Sequence, residues 1–302
     1  MIRHMIPLIA WAITAAMSCD AELTEPQALP EPDPVTVTTT EPGSPPPQVM
    51  AIDTLSFTRE GPTGIAPGFD LDGQNSPEGD EASCGKGDFT SPEGVEGIDN
   101  QLAMLTPLFD LVGLGAVEDL VQRAIEDGGL LIMFELDGVD DLENDPEVTF
   151  SLNIGSGTPL LGTDGLLLSG QTFNESDEQP PAFFPNARIE NGVLHAGPGD
   201  TRLPIVVFGV SYELNVKGGF IRAELTYDGG LVDGVMGGAI PMDDLWAIAV
   251  IADQEAGGVM EAVTLILEGI PDMQKDAEGE CQAMSAALEF TAVSAFFAEE
   301  TP

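Results

Sequence analysis

Short runs in which apolar and polar residues alternate dominate the chain, and they predict strands. Tyr212, Leu214 and Val216 alternate with Ser211, Glu213, Asn215 and Lys217, the period-two pattern of a strand with one buried face. The pair Gly218-Gly219 separates that run from Phe220-Ile221-Arg222-Ala223-Glu224-Leu225 and predicts a hairpin turn. Further short runs, rich in branched and aromatic residues and bounded by Gly, Asp or Asn, occupy residues 130–136, 147–154, 165–173, 187–195 and 203–209. A last run at 286–297 predicts a closing strand that brings Cys281 near the segment holding Cys84.

Helical periodicity is rarer. Val117, Leu120, Val121, Ala124 and Ile125 share one stripe, and Gly128 stops it, as glycine does at a helix C-terminus. A short helix is expected over 101–109, bent or ended by Pro107. Another opens at Pro241-Met242-Asp243-Asp244 and runs to about Gln254, with the pattern resuming over 259–267. These elements predict a mainly β, sandwich-like domain with two or three helices packed on one side, with α+β as the alternative.

Residues 1–19 break the pattern. Arg3 and His4 precede an apolar stretch from Met5 to Ala16, about a dozen residues, which is too short to span a bilayer and suits the core of a signal peptide. Its ending, Ala16-Met17-Ser18-Cys19, resembles the lipobox of bacterial lipoproteins, although that family usually has Leu where Ala16 stands. The resemblance implies removal of residues 1–18 and a diacylglycerol on Cys19, so that the partner is a lipid bilayer in the cell envelope, the outer membrane being favoured over the inner. A plain signal peptide cut at a nearby Ala-x-Ala-like site is the alternative.

Residues 19–50 then read as a spacer: from Asp20 onward they hold eight prolines and no Lys or Arg. Proline at that density favours extended polyproline II, with a reach of roughly 95 Å at about 3.1 Å per residue. Residues 51–302 read as one domain, since no second proline-rich break interrupts them. Its first part, 61–100, is rich in Gly, Pro and acids and is expected to wrap the core as an ordered loop pinned by Cys84 or by an ion.

Charge narrows the function classes. Fifty-two Asp and Glu against nine Lys and Arg give a net charge of −43, yet 43% of residues are apolar and the mean hydropathy is +0.09. Disorder of the whole chain combines high charge with low hydrophobicity, so the apolar share excludes it. A surface this acidic repels phosphate backbones and excludes nucleic-acid binding through a basic patch. With Cys19 assigned to lipid, Cys84 and Cys281 remain as an even pair, and an oxidising compartment predicts that they form a disulfide.

The strongest chemical signal is Asp70-Leu71-Asp72-Gly73-Gln74-Asn75-Ser76-Pro77-Glu78-Gly79-Asp80. Closely spaced carboxylate and amide oxygens around a glycine are what Ca²⁺ requires, since it takes six to eight oxygen ligands from flexible loops. The spacing resembles the Asp-x-Asp-Gly-x-Asn loops of extracellular calcium-binding modules and departs from the EF-hand. Expected ligands are Asp70, Asp72, Asn75 and Asp80, with a solvated acidic turn as the bland reading.

A second cluster begins Glu135-Leu136-Asp137-Gly138-Val139-Asp140. It resembles the Glu-x-Asp-x-x-Glu strand of laminarinase-type glycosidases, with Asp140 in place of the last Glu; this implies Glu135 and Asp137 as catalytic carboxylates. Gly138 weakens the strand that must aim them, and few aromatics are present to stack on sugars. His195 is the only histidine beyond residue 19, and no nucleophile elbow accompanies it, so it is expected to be structural. The run 84–100, with Asp88-Phe89, Ser91-Pro92-Glu93-Gly94 and Gly97-Ile98-Asp99-Asn100-Gln101, resembles uncharacterised acidic lipoproteins of Gram-negative bacteria, which implies no activity. The expected function is that of a non-enzymatic binding or structural module, calcium-stabilised, with an unidentified protein or glycan ligand; a secreted glycan hydrolase is the alternative.

Overall fold

The computed structural model describes residues 46–112, 116–177, 179–207, 210–256 and 260–298. The segments expected to be a signal peptide and a spacer, with Cys19 between them, lie outside the described residues up to residue 45. In chain order the elements are β1 (Gln48–Phe57), β2 (Phe89–Thr90), β3 (Glu96–Ile98), α1 (Gln101–Val112), α2 (Ala116–Glu126), β4 (Leu131–Asp137), β5 (Asn144–Asp145) and β6 (Thr149–Ser156). There follow β7 (Gln171–Glu175), β8 (Ala182–Phe184), β9 (Arg188–Glu190), β10 (Val193–Val207), β11 (Val210–Leu225) and β12 (Leu231–Pro241). The chain ends with α3 (Met242–Ala256), α4 (Met260–Leu267), β13 (Met273–Lys275) and β14 (Cys281–Phe297).

The fold is mainly β, as the alternation predicts, with four helices among the described residues where two or three were expected. One large sheet organises it. β14 pairs with β12 on one side and β1 on the other, and β1–β4–β6–β7 leads back to β14, closing a ring of strands. From β14 the sheet also continues through β12, β11, β10, β9 and β5. β4 shows why the ring is stable: Leu131 to Phe134 are buried at four consecutive positions, which requires cover on both faces. Phe134 stands at the centre, with ring centroids 5.2 Å from Phe150 and 5.3 Å from Phe290, and Phe150 in turn meets Phe184 at 5.8 Å.

The helices cover the same sheet. Val121, Ala124 and Ile125 of α2 pack into the main core. α2 is tied to the end of β1 by Glu118, which accepts from the Phe57 N–H at 2.7 Å and pairs with Arg59 at 2.6 Å. It ends at Gly128, whose φ of +78° is the left-handed conformation of a helix C-terminus. α1, α3 and α4 share a second apolar cluster with Met284, Ala286 and Leu288 of β14. Pro107 lies inside α1 and does not end it: the Ala103 carbonyl, which Pro107 cannot serve for want of an N–H, accepts from the Thr106 hydroxyl at 3.0 Å, while Asn100 Oδ1 caps the start by accepting from the Ala103 N–H at 3.2 Å.

Four expectations need correction. The strand expected over 165–173 forms only from Gln171, as β7, the residues before it making a loop. The run 187–195 is broken by a turn at Asn191-Gly192 into β9 and the start of β10. β1 begins at Gln48, inside the segment assigned to the spacer, because Gln48 and Val49 pair with Leu136 and Glu135 of β4 and leave the proline run one residue earlier. The turn expected at Gly218-Gly219 does not form; β11 runs straight through it. Instead the ladder shifts register between Lys217 and Phe220, and β10 shifts opposite it on either side of Gly199. Gly218 takes the left-handed conformation at this bend, with φ +58° and open space around it, while Gly219 is crowded: a Cβ there would lie 3.2 Å from the Gly237 carbonyl and 3.3 Å from that of Gly199. The glycines therefore serve a close three-strand approach and a bulge, where the pair in isolation signals a chain reversal.

Candidate metal centre

The acidic segment between β1 and α1 folds as an ordered loop against the sheet. Its anchors alternate with its acids. Phe69 stacks on Phe220 at 5.6 Å, and Leu71 packs on Ala239, Met273 and Ala283. Asp70 and Asp72, between and after these anchors, are exposed. An antiparallel bridge from Phe69 to Asp99 then joins the two ends of the loop. The Asp99 N–H donates to the Phe69 carbonyl at 2.9 Å, and the Leu71 N–H donates to Asp99 Oδ2 at 2.7 Å. Gly97 permits the return: its φ is +78°, and a Cβ there would lie 2.5 Å from the Gln74 carbonyl.

The outcome is a group of three carboxylates, Asp70, Asp72 and Asp99, each with an oxygen within 4.8 Å of the others, two exposed and one buried. Asp70 Oδ1 accepts from the Gly73 N–H at 2.6 Å, and Asp72 Oδ1 from the Gln74 N–H at 2.8 Å, which fixes the turn. Burial pushes Asp99 up to about 8 against the Leu71 hydrogen bond, with Asp72, Asp88 and Asp272 adding repulsion. Asp88 is raised as well, by burial first and then by Asp72, Asp70 and Asp80, while the Ser76 N–H at 2.5 Å opposes the shift. A hard cation held by several oxygens suits such a site, because it offsets the mutual repulsion of acids that the fold forces together.

Of the four ligands expected from sequence, Asp70 and Asp72 are brought together and the other two have other partners. The Asn75 side-chain amide donates to Glu96 Oε2 at 3.0 Å, and Asp80 Oδ1 accepts from the Ala82 N–H at 2.8 Å, closing a local turn. Asp99 was missed. The predicted disulfide joins Cys84 to Cys281 across 197 residues with a Cα separation of 6.2 Å, pinning the loop to the start of β14.

Below the loop lies a buried polar chain. Asp272 accepts from the Ser285 N–H at 2.7 Å and from the Ser285 hydroxyl, whose oxygen accepts from the Gln101 N–H at 2.8 Å. Burial pushes Asp272 up to about 6 from an ordinary value of 3.8, the Ser285 hydrogen bonds opposing it. A raised folded-state pKa favours the fold fully below about pH 4, and this advantage is lost as pH rises to about 6. The shift corresponds to stability on the order of 3 kcal/mol. Asp272→Asn is therefore expected to lessen the fall in stability between pH 4 and 6, leaving the part due to Asp99, as followed by urea denaturation at each pH. A variant with the wild-type slope there would remove Asp272 as its source.

The second acidic cluster is arranged differently. Glu135 and Asp137 share the face of β4 opposite Phe134 and Leu136, where Leu131 and Met133 are buried; Glu135 is half-buried and Asp137 exposed. Burial raises the Glu135 pKa, with Asp137 and then Glu175 adding to it. Two cavities of about 240 and 270 Å³ are lined by other residues, the first by Leu152, Pro181 and Arg202 among others, the second by Asp53 and Thr226 among others. Both fall below the roughly 300 Å³ at which ligand pockets begin. His195 sits half-buried on β10, in register with Arg222 and Arg188 of the flanking strands, and burial followed by Arg188 lowers its pKa. No protein-family model, curated protein or solved structure matches this chain.

Proposed function

We propose that the protein is an exported lipoprotein of a bacterial cell envelope, anchored in the outer membrane through acylated Cys19. Its acidic β-rich domain acts as a non-enzymatic binding module stabilised by Ca²⁺. The observation that carries the anchor is the apolar stretch ending at Ser18-Cys19 and followed by a proline-rich spacer. The disulfide supports export, since such bonds persist in oxidising compartments. Labelling cells with palmitate tests the anchor: the wild-type chain takes up label and partitions into detergent, and Cys19→Ser does neither. A Cys19→Ser chain that still carries label would refute the reading.

The calcium reading is supported by the convergence of Asp70, Asp72 and buried Asp99. A ligand that binds only the folded state stabilises it by about 2.7 kcal/mol at a hundredfold excess over Kd. Millimolar Ca²⁺ is expected to raise Tm more than Mg²⁺ at matched ionic strength, because screening alone acts equally for both ions. Asp72→Ala removes most of the difference. Equal shifts from both ions, unchanged in the variant, would reduce the cluster to a solvated turn.

The raised pKa of Glu135 favours one second reading, a glycan hydrolase with Glu135 as acid and Asp137 as its partner. Turnover of β-glucans that disappears in Glu135→Gln would establish it over the binding module.

A further inference from the structure

Residues 157–170 join β6 to β7, and three of their five leucines face solvent: Leu160 is 65% exposed, Leu168 47% and Leu161 41%. The loop is held in this shape. Leu161 bridges Leu167, which is buried in the main core, and the Leu168 N–H donates to the Leu160 carbonyl at 3.0 Å. The Gln171 side chain clamps both ends. Its Oε1 accepts from the Leu160 N–H at 2.6 Å, and its Nε2 donates to the carbonyls of Leu160 at 3.0 Å and Leu168 at 2.7 Å. Exposed apolar side chains grouped on one rigid loop mark an interaction surface.

Charge and position identify the partner. In a chain of net charge −43, Asp164 is the only charged residue between positions 157 and 173. Its carboxylate turns back to accept from the Leu166 N–H at 3.2 Å. Gln171 lies opposite Ala295, and Ala295 opposite Val49, so the clamp is two strand spacings, about 10 Å, from where the proline-rich segment enters the domain. We propose that this leucine loop rests on the surface of an uncharged phospholipid bilayer, the one to which the chain is tethered. The inference rests on the lipid-anchor reading of Cys19. Without Lys or Arg the loop has no attraction for anionic headgroups, and the acidic body is repelled by them, so a zwitterionic surface is the one it fits. Three leucines alone bind such a surface weakly; the tether raises their effective concentration enough for the contact to persist.

The test uses the mature lipidated chain carrying Leu161→Cys and an environment-sensitive fluorophore on the new thiol, the native cysteines being acylated or in the disulfide. On flotation with phosphatidylcholine vesicles, the label is expected to shift to the blue and to lose quenching by aqueous iodide. A label introduced through Met104→Cys stays quenched: Met104 is 54% exposed on α1, which packs at the Met284–Leu288 stretch of β14, away from Ser294, whose carbonyl accepts from the Gly170 N–H of the loop. Adding Leu160→Ser and Leu168→Ser abolishes the shift at 161 without lowering Tm. A protein that floats with its 161 label still quenched overturns the loop contact and leaves the anchor intact, and one that does not float overturns both. A blue shift that persists in the serine variant overturns the contact. So does one that grows with protein concentration in the absence of vesicles, because it makes the loop a self-association surface.

Discussion

Reducing the Cys84–Cys281 disulfide is expected to lower Tm by roughly 10–20 °C, the largest effect of any single change considered for this domain. The bond closes a loop of 197 residues, and constraining a loop of that order in the unfolded chain corresponds to about 5 kcal/mol. The folded side adds to the effect. Cys84 belongs to a segment with few apolar anchors, Phe69, Leu71 and the small cluster of Ala66, Phe89, Ile98 and Ala103, so the crosslink holds much of the loop in place. The double variant Cys84→Ser with Cys281→Ser should melt where the reduced protein does, and should lose the calcium-specific shift in Tm in part, as the loop carrying Asp70 and Asp72 opens more readily. Alkylation of both cysteines in the denatured, unreduced protein, or a Tm unchanged by reduction, would refute the bond as a stabilising element.

How much of this site was legible in advance depended on sequence distance. Asp70 and Asp72 were legible because alternation with Phe69 and Leu71 places two acids on one side of an extended segment, and Gly73 turns the chain after them. Asp99 was not, because it reaches the site through a bridge to a segment 28 residues away, and nothing local announces that pairing. One signal was available: Asp99-Asn100 precedes a helix that needs a cap, Asn100 supplies it, and Asp99 is left beside the helix start with no cation nearby in sequence. Asn75 and Asp80 looked equivalent to Asp70 by spacing alone. The Asn75 amide nitrogen is taken by Glu96 across the loop, and Asp80 closes its own turn on Ala82, outside the group of Asp70, Asp72 and Asp99.

The fold shows the same division. Runs rich in branched and aromatic residues, such as β4 and the 286–297 part of β14, and helices with a cap or a terminating glycine, such as α2, were readable because burial and backbone geometry act locally. β1 was hidden by the prolines before it, although Met50, Ala51 and Ile52 are fully buried. The bend at Gly218-Gly219 was misread because its cause lies in Gly199 and Gly237, on two other strands. Glycines that serve a contact between distant strands carry the same local signature as glycines that serve a turn.

Phe134→Ala is the second large effect, an expected loss of about 3–5 kcal/mol in unfolding free energy. Phe134 has no exposed surface and touches Phe150 on one neighbouring strand and Phe290 on β14, two strands away across β1. That reach across β1 exists only because the strands curl into a ring, so the ring of Phe134 helps to hold β4 and β14 on one core. Truncation removes an aromatic side chain from a site that cannot collapse, since Phe150 is itself held by Phe184. Tyr227→Ala, at a fully exposed position, is the control and should stay within about 0.5 kcal/mol of wild type. Urea denaturation of both variants with the disulfide intact reads the difference, and the m-value should be unchanged. Phe134 and the disulfide share no contact, so the loss in Phe134→Ala should add to that caused by reduction. A loss below about 1 kcal/mol in Phe134→Ala would mean that this position lacks the packing a closed core imposes, and the ring of strands would have to be redrawn.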